Sequence, residues 1–231
     1  EYVDRYYSDF EVYKDGYYDG LILTGAPLES INFEDVRYWE QLKEIMTWAQ
    51  KHVSSSLYIC WGAQAALYHH FGVPKYDLPE KCFGIYPHRV VYNHRLLHNM
   101  HPAFMMPNSR HTEVHSSDLP PECQVIAESD ETGVGIMVSN EGREVYVVGH
   151  LEYEPLTLHN EYMRDLEKGL VIAPPHNYYI NNVSDQGVDY VYRCDNAFSV
   201  QRYKKSVDYK KKMKKNKENR SIFLEKVLLH V

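Results

Sequence analysis

The chain has 231 residues, of which 44% are hydrophobic and 25% are charged, with a net charge of −7. This composition excludes collagen-like, coiled-coil and wholly disordered proteins. No apolar run approaches the roughly 18 residues that a membrane-spanning helix needs, and no signal segment is present, so we predict no membrane partner.

The charge is divided unevenly along the chain. Residues 1–200 hold 14 Lys and Arg against 29 Asp and Glu, a net of −15, whereas residues 201–231 hold 11 against 3, a net of +8. The acidic part argues against a nucleic-acid partner. The basic part could attract phosphates, but a block of like charge is more typical of a disordered, solvated extension.

The first third of the chain alternates between strands and helices. Residues 18–25 are typical of a buried strand that ends in a Gly turn, and residues 34–53 place apolar side chains at the spacings of an amphipathic helix. A short apolar strand over 57–60 comes before a helix over 62–71, which Gly72 closes. This alternation predicts a parallel sheet covered by helices.

The middle of the chain is richer in strands. We predict strands over 83–92, 124–128, 134–138 and 144–148, a hairpin turn over 140–143, and a helix over about 156–170. The fold class is therefore α/β, a three-layer sandwich with a mostly parallel sheet. We expect one domain over residues 1–197 and an atypical basic tail over residues 198–231.

Four scattered cysteines (Cys60, Cys82, Cys123 and Cys194) form no C-x-x-C pair. This favours a reducing, cytoplasmic location over a disulfide framework. Cys60 closes the strand over 57–60 and precedes a helix, so we expect its sulfur beside amides and a dipole that stabilise an anion. The Trp61 backbone amide is placed to donate to an oxyanion. From its position alone, Cys60 could equally be a buried cysteine that packs in the core and has no chemical role.

A second chemical signal follows the strand over 144–148. His150 comes directly after Gly149, at the sheet edge where open α/β sheets place their sites. Glu152 lies two residues on, so along an extended stretch it points to the same side and could orient the imidazole. A Gly-His turn with a solvated Glu is the plain alternative, but together with Cys60 the residues favour a Cys–His–Glu triad.

These residues carry a resemblance. The stretches Cys60-Trp61-Gly62-Ala63-Gln64 and Gly149-His150-Leu151-Glu152 resemble the class I glutamine amidotransferase-like superfamily, a flavodoxin-like fold. Within it, the chain is more similar to the homoserine O-acyltransferases of methionine biosynthesis, over roughly residues 1–197. The stretches that carry this closer similarity are residues 18–29, 60–67, 107–110 and 150–165.

The resemblance implies an acyl transfer from acyl-CoA to L-homoserine, in which acyl-CoA is a co-substrate and no cofactor is bound. Cys60 would be the nucleophile, His150 the general base and Glu152 the residue that holds the imidazole. It also implies that Lys81, Ser109 and Arg164 contact substrate, and Arg164 is suited to grip a carboxylate. A homodimer is implied as well. We predict no metal site, because His98-x-x-His101 lacks partners at ligand spacing.

Glu29 follows Thr-Gly-Ala-Pro-Leu, where the family has either Gly or Glu. Members with Gly tend to use succinyl-CoA, and members with Glu tend to use acetyl-CoA. A carboxylate there would repel the distal carboxylate of a succinyl group, so we predict homoserine O-acetyltransferase activity. If Glu29 is simply a loop residue, it has no such role.

Three alternatives stay open. The chain could be a homoserine O-succinyltransferase, a glutaminase, or an inactive fragment that serves only as a dimerisation module. Glutaminases usually have Gly two residues before the nucleophile, where this chain has Tyr58. The resemblance also implies a further N-terminal segment with a first strand ahead of Glu1. It implies an aromatic terminus where this chain is Lys-rich, for which we hypothesise a frameshift.

Overall fold

The protein is described by a computed structural model over residues 7–98, 100–182 and 184. The predicted basic tail, residues 198–231, lies outside this range, and so does Cys194. The described residues form seven strands and three α-helices, besides short 3₁₀ turns. In chain order they are β1 (Leu21–Leu23), α1 (Trp39–His52), β2 (Ser56–Ile59), α2 (Trp61–Phe71), β3 (Tyr76–Val90), β4 (Ala103–Glu113), β5 (Gln124–Ser129), β6 (Gly133–Ser139), β7 (Glu144–Val147) and α3 (Thr157–Glu167).

The strands form one mixed sheet in the order β1-β2-β7-β6-β5-β3-β4. Within the described residues, only β1–β2 and β2–β7 are parallel, and the other four neighbouring pairs are antiparallel. The α/β prediction is confirmed, whereas the prediction of a mostly parallel sheet is not exact. The cause is the strand-rich middle, where successive strands pair directly and no helix connects them.

Strand β4 was not among the predicted elements. Its sequence lacks strict alternation and contains Pro107, a residue that argues against a central strand because it cannot donate to the ladder. In the structure β4 is the last strand in the sheet order, and Pro107 pairs in register with Ile85 of β3. An edge position tolerates a proline, so the local pattern was a poor guide here.

The buried residues lie on both faces of the sheet. Neighbouring residues of a strand point to opposite faces, and Tyr146 packs with Leu67 of α2 whereas Val147 packs with Phe104 and Ile136. Helix α1 buries its apolar stripe, as its spacing predicts, but begins at Trp39 rather than Glu34. The segment ahead of it contains a separate 3₁₀ turn, Phe33–Asp35, after which Val36 is extended.

Helix α2 starts in close contact with the end of β1. A Cβ atom at Gly62 would lie 2.8 Å from the carbonyl oxygens of Leu23 and Thr24 and 2.5 Å from a methyl group of Leu23. Backbone carbonyls cannot move away cheaply, so only glycine fits this position without displacing the helix.

We therefore expect Gly62→Ala to lower the free energy of unfolding by about 1–3 kcal/mol, the usual cost of overpacking. Chemical denaturation would measure this change. The matched control is Gly20→Ala, because the nearest atom to a Cβ there, the Ser55 oxygen, is 3.7 Å away. A Gly62→Ala protein as stable as the control would contradict the close approach.

Candidate active site

Cys60 lies on a strained elbow between β2 and α2. Its φ and ψ angles are 54° and −123°, a conformation that non-glycine residues rarely adopt. The elbow is held by its own backbone: the Cys60 amide donates to Val147 at 2.7 Å, and its carbonyl accepts from Ala63 and Gln64. Strain of this kind persists where surrounding contacts over-determine it, which is common at functional sites.

His150 and Glu152 reach the same edge of the sheet from the end of β7. The His150 amide donates to the Pro107 carbonyl at 2.8 Å, which anchors the segment on β4. The imidazole Nδ1 is 2.7 Å from Oε1 of Glu152, and the ring also hydrogen-bonds the Cys60 side chain. The structure thus brings all three predicted triad residues together, in the order Cys60, His150, Glu152.

The site has unusual electrostatics, because His150 is only 8% exposed. Burial opposes a charge on the imidazole, but the hydrogen bonds with Cys60 and Glu152 outweigh it and raise the pKa of His150 to about 10. The resting imidazole is therefore protonated at neutral pH. This charge stabilises the fold fully below the ordinary pKa of 6.5, and the contribution is lost as pH rises through about 10.

The turn after β1 passes close to the Cys60 side chain. A Cβ atom at Gly25 would lie 3.1 Å from Cβ of Cys60, and 3.5 Å from both its Sγ and the Trp61 amide nitrogen. As the first residue of α2, Trp61 has an amide without an intrahelical acceptor. The absence of a side chain at Gly25 leaves open the space beside both the thiol and this amide.

Ser109 belongs to a chain of polar contacts that ends at His150. Its hydroxyl donates to Oε2 of Glu161 at 2.6 Å, and the Tyr153 hydroxyl donates to Oε1 of the same carboxylate at 2.5 Å. The Tyr153 ring stacks on the His150 ring, with 4.1 Å between centroids and 21° between planes. Glu161 therefore links a predicted substrate residue to the wall of the triad.

Lys81 and Arg164 meet at one carboxylate on α3. Lys81 donates to Oδ2 of Asp165 at 3.1 Å, and Arg164 donates to Oδ1 through Nε and Nη2 at 3.0 and 2.8 Å. Burial raises the pKa of Asp165, but the hydrogen bonds from Arg164 and Lys81 outweigh it and hold the pKa below its usual range. Asp165 thus fixes both cations, and the Nε edge of Arg164 faces it.

Glu29 lies in the loop after β1, and its side chain is partly buried. The loop is folded on itself by a hydrogen bond from the Leu28 amide to Ala26 and another from the Ile31 amide to Leu28. Ala26 and Leu28 pack against the buried cluster that contains Trp61. The loop therefore packs against the same buried cluster as the first residue of α2.

Glu161, Asp165 and Tyr153 are parts of the candidate site that were not predicted from the sequence. One signal could have found two of them. Glu161 and Asp165 are four residues apart on a helix, so they lie on one face, beside the predicted substrate residue Arg164. Their partners are far along the chain, which hides the pairing from a local pattern.

Neither a metal centre nor a membrane segment is found in the part of the chain that the structure describes. No group of three or more His, Cys, Asp or Glu side chains there could hold a metal ion. None of its helices combines the length and the apolar character that crossing a membrane requires.

Comparison with known proteins gives a consistent result for sequence and fold. A family model described as homoserine O-succinyltransferase matches residues 1–209. Homoserine O-acetyltransferases of Bacteroides fragilis and Bacteroides thetaiotaomicron are 49% and 50% identical to the chain over 190 residues, which is 81% of the chain. The chain spans only 62% of the length of these two relatives.

Solved structures support the same fold at much lower identity. A glutamine amidotransferase of Thermotoga maritima is 17% identical, with a TM-score of 0.54 over 64% of each chain. A second, from Methylobacillus flagellatus, is 16% identical, with a TM-score of 0.54 over 65% of this chain and 58% of its own. The predicted glutamine amidotransferase-like fold is thus confirmed.

Proposed function

The chain belongs to the homoserine O-succinyltransferase family, and from this premise we propose that it transfers an acetyl group from acetyl-CoA to L-homoserine through an acyl-thioester on Cys60. The observation that carries the proposal is the hydrogen-bonded series from Cys60 through His150 to Glu152, built on a strained elbow. The names of the Bacteroides relatives support the substrates.

In the first half of the reaction, the anionic Cys60 sulfur attacks the thioester carbonyl of acetyl-CoA. The new oxyanion would accept a hydrogen bond from the Trp61 amide, which costs no reorganisation because the helix fixes it. The carbon–sulfur bond to CoA then breaks, and the imidazolium of His150 gives its proton to the leaving thiolate. The products are free CoA, an acetyl-thioester on Cys60 and a neutral imidazole.

In the second half, the neutral His150 takes the proton of the homoserine hydroxyl as that oxygen attacks the thioester. Collapse of the second tetrahedral intermediate releases O-acetyl-L-homoserine and regenerates the Cys60 anion beside the His150 imidazolium. Glu152 keeps Nδ1 protonated throughout, so that Nε2 is the nitrogen that exchanges protons. The protons balance over the cycle without an external base.

Acylation of Cys60 would itself lower the pKa of His150. The hydrogen bond with Cys60 is one of the two that raise the pKa of His150, and a thioester sulfur no longer offers an anionic partner. We therefore expect Cys60→Ala, which mimics the loss of that partner, to lower the pKa of His150 below about 10, because burial then opposes the charge with less compensation.

Titration of the His150 imidazole by NMR would measure this shift. Cys123→Ala is the control, because Cys123 is also a free, buried cysteine and is not among the groups that shift His150. An unchanged His150 pKa in Cys60→Ala would contradict the coupling between the nucleophile and its base.

The groups on and opposite α3 are suited to hold homoserine. Arg164, whose side chain is 54% exposed, can bind the amino acid carboxylate through the part of its guanidinium that Asp165 does not engage. Ser109 can bind homoserine while Glu161 fixes its hydroxyl, and Lys81 is held nearby by Asp165. Asp165 and Glu161 would act as positioning residues.

The choice of acyl group depends on Glu29. The family description names succinyl transfer, whereas the similar Bacteroides proteins are named for acetyl transfer. A carboxylate in the acyl pocket repels a second carboxylate and fills its space, so Glu29 favours acetyl-CoA. We further propose a cytoplasmic homodimer that binds no cofactor and supplies O-acetyl-L-homoserine for methionine biosynthesis.

The test is a panel of acyl-CoA donors with L-homoserine, in which CoA release is followed and the product is identified by mass spectrometry. We expect O-acetyl-L-homoserine as the main product. The rival glutaminase reaction uses the same triad, so glutamine is included without acyl-CoA. Ammonia release from glutamine without acylation of homoserine would overturn the proposed function.

A further inference from the structure

Lys75 is distant in sequence from the loop that carries Glu29 but contacts it directly. It follows Pro74 and lies just ahead of β3, 46 residues from Glu29 along the chain. Its ammonium donates to the backbone carbonyl of Glu29 and, at 2.8 Å, to the carbonyl of Ile31. Two carbonyls that flank Ser30 thus share one cation, which closes the turn on both sides of that residue.

The same ammonium connects the loop to the nucleophile elbow. It lies 5.3 Å from the centre of the Phe33 ring, a distance at which a cation and an aromatic face attract each other. Phe33 is buried, and its ring is 4.8 Å from that of Tyr68 and 5.8 Å from that of Trp61. Trp61 is the residue that follows Cys60, so Lys75 contacts both the Glu29 loop and the aromatic cluster behind the elbow.

The Lys75 ammonium is partly buried, so it depends on its contacts for stabilisation. Burial holds the pKa of Lys75 below its usual range, and the charges of Asp77 and Glu29 offset only part of this effect. A partly buried ammonium that is desolvated in this way is retained where its hydrogen bonds and nearby carboxylates compensate for the lost water. The backbone contacts therefore belong to the folded loop and are not those of a freely solvated surface lysine.

We propose that Lys75 is a positioning residue for acyl-donor selection, which holds the Glu29 segment against the elbow so that the Glu29 carboxylate stays in the acyl pocket. The proposal rests on the proposed function and deepens it. Without the ammonium, the turn loses two hydrogen bonds, Glu29 moves among several positions, and a succinyl group meets its carboxylate less often.

An electrostatic role for Lys75 would have the opposite sign. If the ammonium acted mainly by neutralising Glu29 or by attracting the distal carboxylate of succinate, its removal would make succinyl-CoA a poorer donor still. Positioning predicts that discrimination falls when Lys75 is replaced, whereas electrostatic attraction predicts that it rises. The direction of the change therefore separates the two roles.

The test is a double-mutant cycle on the full chain with Lys75→Met, Glu29→Gly and the combination. We expect Lys75→Met to lower the ratio of kcat/KM for acetyl-CoA over succinyl-CoA about tenfold, with the KM for homoserine unchanged. In the Glu29→Gly background the same change should leave the ratio unaltered. Lys75→Arg should restore most of the discrimination, since a guanidinium can also donate to two carbonyls.

The matched control is Lys43→Met, which removes an ammonium that pairs with Glu40 on α1. We expect it to leave the ratio and the melting temperature as in the parent chain. An unchanged or increased ratio in Lys75→Met, or an equal change in the Glu29→Gly background, would overturn the proposal.

A second measurement does not depend on activity. Hydrogen exchange of the Leu28 and Ile31 amides, which donate within the loop, should be faster in Lys75→Met than in the parent chain or Lys43→Met. If the parent chain uses neither donor, the proposed function fails while this exchange still decides whether Lys75 positions the loop. Unchanged exchange at both amides would overturn the positioning role.

Discussion

Replacement of Cys60 by alanine is expected to abolish acyl transfer, with a loss of roughly 10⁴-fold or more in kcat/KM for acetyl-CoA. In the proposed mechanism the sulfur carries the acetyl group, and His150 can deprotonate homoserine productively only once that thioester has formed. Steady-state CoA release at saturating homoserine would measure the loss.

The control for this substitution is Cys123→Ala, which removes another buried thiol. We expect the control to keep the activity of the parent chain. The far-ultraviolet circular dichroism spectrum of Cys60→Ala should match that of the parent chain, and its denaturation should stay cooperative, because alanine keeps the backbone atoms of the elbow. Activity in Cys60→Ala within tenfold of the parent chain would contradict a covalent mechanism.

Replacement of Glu29 by glycine is expected to move donor preference from acetyl-CoA toward succinyl-CoA, with a change of about 100-fold in the ratio of their kcat/KM values. Juxtaposed like charges cost up to several kcal/mol, roughly, and glycine removes both the charge and the side-chain volume. Competition between the two donors, with both products quantified by mass spectrometry, would measure the ratio directly.

Glu29→Gln separates the two causes, since glutamine removes the charge but keeps the size. A ratio between those of the parent chain and Glu29→Gly would indicate that repulsion and volume both contribute. An unchanged preference in Glu29→Gly would refute the role of this position in donor choice.

The proximity of Cys60, His150 and Glu152 could be predicted from sequence because the signals for each are local. Cys60 lies where an apolar strand meets a helix, and His150 and Glu152 follow the Gly that ends a second strand, so each half is visible within a few residues. Parallel pairing of β2 and β7 then brings the two halves to one edge. The sequence pattern needed only the general rule that sites lie at the carboxyl edge of such strands.

The remainder depends on long-range contacts that no local pattern reveals. Ser109 and Glu161 are 52 residues apart, and Lys81 and Asp165 are 84 apart. Strand β4 escaped prediction because Pro107 violates the usual strand pattern and is tolerated only at the edge. The sheet is mixed and not mostly parallel because β4 pairs antiparallel with β3 and because the middle strands pair directly with one another.

The most direct test of the covalent mechanism is mass analysis of the protein after brief incubation with acetyl-CoA, followed by peptide mapping. We expect one added acetyl group on the peptide that contains Cys60, which disappears as O-acetyl-L-homoserine forms when homoserine is added. We also expect no adduct in Cys60→Ala. Transfer to homoserine without an acetyl adduct on Cys60, or an adduct that homoserine does not remove, would contradict this mechanism.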